Sequence, residues 1–202
     1  MQKEFISPFS SAYWKQAAAE YASLRSLCIA ALMVALHVVL SFVKIRVGEN
    51  LNIQVTYLAV ALSVVICGPL VGISCGIVTD LVEFLMDPSW GFFPGYTLSC
   101  VMGFLIFGLF FYRREITVLR IFLARLCVNL FINVGLGCLW SSMMMGKGYL
   151  YYAATSIVKN AIMLPIETVI LFLLLRTLLP VLNQLKLIPP QKTIRFLKGN
   201  NK

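Results

Sequence analysis

The chain has 202 residues, of which 60% are hydrophobic and only 12% are charged, and its mean hydropathy is +0.88. A soluble domain averages about a quarter charged residues, so water-soluble classes of protein are excluded. The formal net charge of +9 would suggest a nucleic-acid partner in a soluble protein. Cytoplasmic loops of membrane proteins also collect Lys and Arg, so we expect a lipid bilayer and no nucleic acid as the partner.

Apolar stretches of near twenty residues recur along the chain, and each is long enough to cross about 30 Å of hydrocarbon as a helix. We predict an all-α integral membrane bundle of six transmembrane helices, at 26–43, 51–67, 70–86, 96–112, 121–143 and 156–179. The sequence "CGPLVG" predicts a very tight turn between the second and third helices. The predicted organisation is a cytoplasmic N-terminal segment 1–25, a transmembrane domain 26–180 and a basic cytoplasmic tail 181–202.

The orientation of the bundle follows from its cations. With both termini inside, the outer loops hold only Lys44, Arg46 and Lys147. The inner segments hold many more: Lys3, Lys15, Arg25, Arg113, Arg114, Arg120, Lys186, Lys192, Arg195, Lys198 and Lys202. This asymmetry predicts an N-in/C-in, multi-pass protein of the cell membrane. The first apolar run follows a polar segment without a cleavage site, so we expect the first helix itself to direct insertion.

Polar side chains from five segments map to the outer half of the bilayer in this orientation. Ionisable groups at that depth usually face a bundle interior or a cavity. The sequence therefore predicts a polar pocket that opens outward and is closed to the inside. Its polar candidates are Arg46, Asn50, Asn52, Gln54, Asp80, Glu83, Asn129, Asn133, Lys159 and Asn160, with Trp140 near the outer end of the fifth helix. For Lys159, a plain interfacial lysine is an equal alternative.

A short outer connection, "DPSWGFFPGYTLS" at residues 87–99, combines two prolines, two glycines and four aromatic rings. Prolines restrict the backbone and glycines permit tight turns. We predict that this segment is a lid at the mouth of the pocket, where a planar ligand stacks on Trp90, Phe92, Phe93 and Tyr96. The alternative is an aromatic belt at the membrane interface.

Four other features have structural interpretations. Arg125 is one turn into the fifth helix, so we expect it to snorkel to the inner interface. His37, the single histidine, is expected to pack and not to bind metal. Glu167 follows Pro165 and pairs either with a helix end or with a cation. Ala31 and Ala35 form a small-x-x-x-small seam on the first helix, where another helix can approach closely, within the chain or from a partner.

Several catalytic motifs are missing from the sequence. No Gly-x-x-x-x-Gly-Lys-[Ser/Thr] occurs, so the chain has no P-loop for ATP. No His-Glu-x-x-His or Gly-x-Ser-x-Gly occurs either, and we predict that the protein is not an enzyme and has no cofactor of its own. The six cysteines lie in apolar runs and are interpreted as buried small hydrophobic residues.

The chain resembles the substrate-binding (S) components of energy-coupling factor (ECF) vitamin transporters, and within them the folate branch. The resemblance rests on six short helices, the Ala31/Ala35 seam and five stretches in order over residues 68–167. These stretches are "GPLVGISCGIVTDLVEFL", "PSWGFFPGYTLS", "RIFLARLCVNLFINVGLGCLW", "MMMGKGY" and "IVKNAIMLPIE".

The resemblance implies a vitamin-binding subunit of an ATP-driven importer. Such proteins bind their vitamin from outside and dock through the first helix on a transmembrane coupling protein, which two ATPase subunits drive. Ala31 and Ala35 would be the docking residues. The ligand would contact Arg46, Asp80, Trp90, Phe92, Phe93, Tyr96, Asn133, Trp140, Lys159 and Asn160.

Two alternatives remain open at this point. In this branch the second helix commonly starts with a basic residue and a proline follows, whereas here it reads "NLNIQVTYLAVAL", and Glu83 adds an acid near Asp80. The same fold with a thiamine-like or deazapurine ligand would suit those two acids. A membrane assembly factor without a small-molecule site would show polar residues that are dispersed or paired with one another.

Overall fold

A computed structural model describes residues 5–48, 51–88, 91–146, 148–191 and 194. Nearly all of this part is helical, as predicted. The helices are α1 (Ser11–Ala19), α2 (Leu24–Ser41), α3 (Tyr57–Met86), α4 (Pro94–Phe111), α5 (Val118–Cys127), α6 (Gly137–Met145) and α7 (Tyr149–Gln184). A 3-10 turn, Glu20–Ala22, follows α1, and a π-helical segment, Val128–Leu136, joins α5 to α6 in one continuous span.

Two short strands between α2 and α3 depart from the all-helical expectation. Strand β1 (Lys44–Gly48) pairs antiparallel with β2 (Leu51–Gln54), and Ile45 lies opposite Ile53. The predicted second helix at 51–67 therefore starts at residue 57 instead. The first residues of that apolar run pair with β1, where β-branched isoleucines are favoured.

Helix α3 is a hairpin of two helical arms and crosses the bundle twice. Gly68 interrupts it with φ +85° and ψ 175°, a conformation that glycine adopts readily. The Ser63 Oγ and Cys75 Sγ atoms are 3.9 Å apart, whereas a straight helix would separate these residues by about 18 Å. With the other four apolar helices of the described chain, the hairpin gives the six predicted crossings.

The α3 hairpin forms the centre of the hydrophobic core. Its buried residues Val64 and Val71 belong to one cluster with Phe104 of α4 and with Leu171 and Leu175 of α7. Glycines on α3 permit close packing. A Cβ atom at Gly76 would lie 3.1 Å from the Cα atom of Val101 on α4. Helices α2 and α7 instead expose many large apolar side chains, as helices that face lipid do.

One end of the bundle, which we call the terminal end, holds the N-terminal segment, the Gly68 turn, the α4–α5 connection and the end of α7. The Tyr13 hydroxyl donates to the Gly108 carbonyl at 2.9 Å, and Arg25 donates to the Leu185 carbonyl at 3.1 Å. Burial raises the pKa of Tyr13 and raises that of Tyr112 to about 12. The opposite end holds the β-hairpin, the α3–α4 connection and the α6–α7 connection.

Candidate functional site

An aromatic cluster of Phe93, Tyr96 and Trp140 lies at the opposite end of the bundle. The Phe93 ring contacts Tyr96 and Trp140 edge to face, with centroid distances of 5.7 and 5.5 Å. Gly95 makes this possible, because a Cβ atom there would lie 2.3 Å from the Phe93 ring and 2.8 Å from Trp140. The Trp140 Nε1 group donates to the Ser99 hydroxyl at 3.0 Å. The cluster is therefore fixed from both α4 and α6.

The other predicted stacking residues lie outside this cluster or outside the described residues. Phe92 is 46% exposed and contacts Phe84 of α3, with ring centroids 5.4 Å apart. Trp90 falls outside the residues that the structure describes.

A polar ladder runs through α7 and the α5–α6 span, the same span that carries Trp140. Its members are Arg125, Asn129, Asn133, Asn160 and Glu167. The Asn133 amide donates to the side-chain oxygens of Asn129 at 3.0 Å and of Asn160 at 3.1 Å. Asn129 donates in turn to Glu167 at 3.2 Å. Two predicted site residues, Asn133 and Asn160, are thus in direct contact.

The deep end of the polar ladder is a buried ion pair between Arg125 and Glu167. Arg125 is only 3% exposed, and its guanidinium lies over the Tyr57 ring at 4.1 Å. The prediction that Arg125 snorkels to the interface is wrong, because a carboxylate on α7 and an aromatic face on α3 hold it inside. Of the two partners expected for Glu167, the structure gives the cation.

Asp80 lies on a different face of α4 from the aromatic cluster. The Thr97 hydroxyl donates to Asp80 Oδ2 at 2.5 Å, whereas Trp140 bonds Ser99, two residues further along α4. Two residues turn an α-helix by about 200°. Asp80 and Trp140 therefore contact different faces of α4, both near its N-terminal end.

The two predicted cations lie on separate elements. Lys159 is half-buried on α7, next to Asn160, and lines a surface groove with Ala154, Thr155 and Val158. Arg46 lies in β1, where it pairs in register with Asn52.

The seam of small residues on α2 faces outward. Ala31 and Ala35 are both exposed, whereas Ala30 is buried at 5%. No described residue therefore covers the seam, which is accessible to a partner or lipid.

Residues 25–175 match the family model described as ECF transporter, substrate-specific component. The chain belongs to this family. It is thus an S component, a multi-pass membrane protein that binds a transport substrate and is not an enzyme. The family match excludes the alternative of a membrane assembly factor. That alternative predicted polar residues that pair with one another, and the asparagines of the polar ladder do so within a substrate-binding protein.

Two relatives and one solved structure are similar to this chain. The S component is 31% identical over 143 residues to "Folate transporter FolT" of Clostridium novyi (strain NT), covering 70% of this chain and 83% of the relative. It is 30% identical over 159 residues to "Folate transporter FolT" of Leuconostoc mesenteroides, covering 75% and 84%. The structure titled "Crystal structure of FolT bound with folic acid" aligns with a TM-score of 0.69 and 31% identity, covering 74% of this chain and 92% of that one.

The four-residue spacing of Asn129 and Asn133 extends back to Arg125. This spacing places all three polar groups on one helix face. It is the sequence signal for Arg125 as a member of the polar ladder. His37 packs with its ring stacked on Phe104 at 6.2 Å, and its Nε2 atom also lies 3.2 Å from the Glu83 carboxylate. No sequence spacing indicated that pairing.

Proposed function

We propose that this S component binds folate or a related pterin at the opposite end of the bundle, which faces outward in the N-in/C-in orientation. The similarity to the folic-acid-bound FolT structure, at 31% identity over 92% of that chain, carries the proposal. The curated relatives support it, since both are folate transporters by name.

The ligand site that we propose combines the aromatic cluster with Asn133 and Asn160 of the polar ladder. The rings of Trp90, Phe92, Phe93, Tyr96 and Trp140 stack on the pterin. The polar edge of the pterin meets Asn133 and Asn160. It reaches Asp80 over the N-terminal end of α4, where Thr97 and Ser99 both lie in the first two turns. Both ladder bonds of Asn133 are donated by its side-chain nitrogen. Among the described residues, its side-chain oxygen accepts no hydrogen bond. That oxygen is therefore available to a donor on the ligand.

The acidic glutamyl tail of folate requires cations, and we assign Arg46 and Lys159 to it. Lys159 adjoins Asn160 on α7, which places a cation beside the proposed pterin site. Its position supports this role, because Lys159 is half-buried and lines a surface groove.

Import by this S component requires three further subunits in our proposal. A transmembrane coupling protein docks on the exposed Ala31/Ala35 face of α2, and two ATPase subunits use the ATP. Both alanines are exposed one turn apart, next to the exposed side chains of Leu32 and Leu36, which supports this face as the docking surface.

Calorimetry on the purified chain in detergent tests the ligand assignment. Folate, a tail-less pterin, thiamine and a deazapurine are titrated separately. We expect folate to bind tightest, and Lys159→Ala to weaken folate more than the tail-less pterin. Lys186→Ala, an exposed lysine at the terminal end, is the matched control and leaves both affinities unchanged. Tighter binding of thiamine or the deazapurine would refute the folate assignment.

A further inference from the structure

A second cavity lies at the terminal end of the bundle, away from the proposed ligand site. It has a volume of about 290 Å³ and is lined by Phe5, Ile6, Ser7, Arg114, Glu115 and Arg120. The Ile6 amide donates to the Arg113 carbonyl at 3.0 Å, which holds the N-terminal segment against the α4–α5 connection. Residues 5–7 precede the range 25–175 that matches the family, so part of this wall comes from outside the family match.

Two arginines give the cavity its charge. Within the described part of the chain, the Arg114 guanidinium has no hydrogen bond and no ion pair. Arg120 donates one N–H to the Glu115 carbonyl at 2.9 Å, and a guanidinium has five such donors. The two cations repel each other, and the Glu115 carboxylate offsets only part of their charge. The cavity is therefore net positive and has free donors.

Arg113, the neighbour of Arg114 in the chain, has a buried acidic partner. Its guanidinium lies 3.4 Å from the buried Glu20 carboxylate, which also accepts from Tyr112 at 3.3 Å. Its charge is thus matched inside the protein. The charge of Arg114 is not matched in this way, although the two residues are adjacent.

Exposed apolar side chains lie on the segments that line the cavity. Phe5 is 41% exposed, and Leu119 and Leu123, four residues apart on α5, are 40% and 37% exposed. The cavity itself is slightly smaller than the 300–1,000 Å³ typical of small-molecule pockets. This combination suits a ligand with a compact anionic head and an apolar tail that lies outside the cavity.

We propose that this cavity binds the phosphate group of an anionic phospholipid, with Arg114 and Arg120 as its cationic contacts and the acyl chains along Phe5 and α5. The arginine fork matches phosphate geometry, and basic pockets on the cytoplasmic side of membrane proteins bind anionic head groups. The site is independent of the proposed folate site, which lies at the other end of the bundle.

Native mass spectrometry of the full chain in neutral detergent tests the site. The probes are dihexanoyl phosphatidylglycerol, dihexanoyl phosphatidylcholine and inorganic phosphate. We expect the anionic lipid to bind tightest. Arg114→Gln loses no internal hydrogen bond and should weaken it about fivefold, and adding Arg120→Gln should bring the loss to about twenty-five-fold. Lys15→Gln removes the same charge from an exposed position on α1 and should have no effect.

Three outcomes would overturn the proposal. An equal loss in Lys15→Gln would mean that only diffuse surface charge attracts the lipid. Inorganic phosphate that binds as tightly as the lipid would mean that the site selects a free anion. Unchanged binding in Arg114→Gln, with an unchanged melting temperature without lipid, would remove the arginine from the site.

Discussion

Asp80 is the residue whose side chain best distinguishes one ligand class from another. Its carboxylate accepts one bond from Thr97 and has lone pairs left for the two donors of an amino-pyrimidine edge. Hydrogen bonds to a charged group contribute about 1.5–3 kcal/mol, or about one to two decades in affinity. We therefore expect Asp80→Ala to weaken the binding of folate and of tail-less pterin by about that factor, as measured by calorimetry.

Glu83 provides the control for this prediction. It lies one turn further along α3 and faces His37, so Glu83→Ala removes an equal charge without touching the proposed edge contact. Ligand affinity should be unchanged in this variant. If Asp80→Ala is folded and binds pterin normally, Asp80 serves to join α3 to α4 through Thr97, as its position on a different face of α4 from Trp140 would then explain.

The Arg125–Glu167 pair gives a prediction about stability. Removing one partner of a buried ion pair leaves an uncompensated charge and costs about 3–5 kcal/mol. We expect Glu167→Gln to lower the free energy of unfolding by about that amount, as measured by SDS titration in mixed micelles. The double variant Arg125→Met/Glu167→Gln should recover part of the loss, since no charge is left unpaired. A double variant less stable than Glu167→Gln would contradict this account.

Residue patterns predicted the polar groups better than their partners. The spacing of Asn129 and Asn133 correctly placed both on one helix face. The sequence position of Arg125, one turn inside a span, favoured the interface, and only the fold places Glu167 of α7 beside it. Such a pairing depends on how two distant helices pack, so a single sequence does not determine it.

At the scale of elements, local backbone chemistry was the reliable guide. Gly68 and Pro69 predicted a tight turn, and the α3 hairpin has one. The packing around the turn also requires small residues, because a Cβ atom at Gly108 would lie 2.7 Å from the Pro69 side chain. The start of α3 was less predictable, since the apolar residues of β2 also fit a helical run. The π-helical segment 128–136 has no composition that distinguishes it from an α-helix.

Helix α2 supports a prediction about docking. Ala31 and Ala35 lie one turn apart on its exposed face, where a partner helix can approach closely only if the side chains are small. We expect Ala31→Trp/Ala35→Trp to abolish vitamin uptake by the full complex and to leave ligand affinity of the isolated chain nearly unchanged. Uptake of radiolabelled folate and calorimetry measure the two quantities.

Leu173→Trp is the matched control for the docking face. Leu173 is 52% exposed on α7, so this variant adds a large side chain to another exposed helix and leaves α2 unchanged. Uptake should persist in Leu173→Trp. If the double alanine variant loses ligand binding as completely as uptake, the seam supports the fold of the S component and is not a docking surface.

At the scale of the whole molecule, the two ends of the bundle differ in how firmly they are closed. The terminal end is tied together across elements that are distant in sequence: Tyr21 donates to the Leu70 carbonyl at 2.8 Å, and Gln191 donates to the Ile116 carbonyl at 2.7 Å. The opposite end carries the aromatic cluster and the β-hairpin. This closure of the terminal end fits our proposal that the ligand binds at the other end and has no path through the core.

This asymmetry leads to a prediction about transport. The sequence has no P-loop, and Phe104 and Leu171 of the core are buried, so we expect neither an ATP site nor a passage for the ligand among the described residues. Reconstituted alone in liposomes, the protein should bind folate but show no ATP-dependent accumulation of it. Liposomes that also contain the coupling protein and both ATPase subunits should accumulate folate when ATP is supplied on the ATPase side. ATP-dependent accumulation by the pure chain would show that the S component transports without partners, and would contradict the division of labour that we propose.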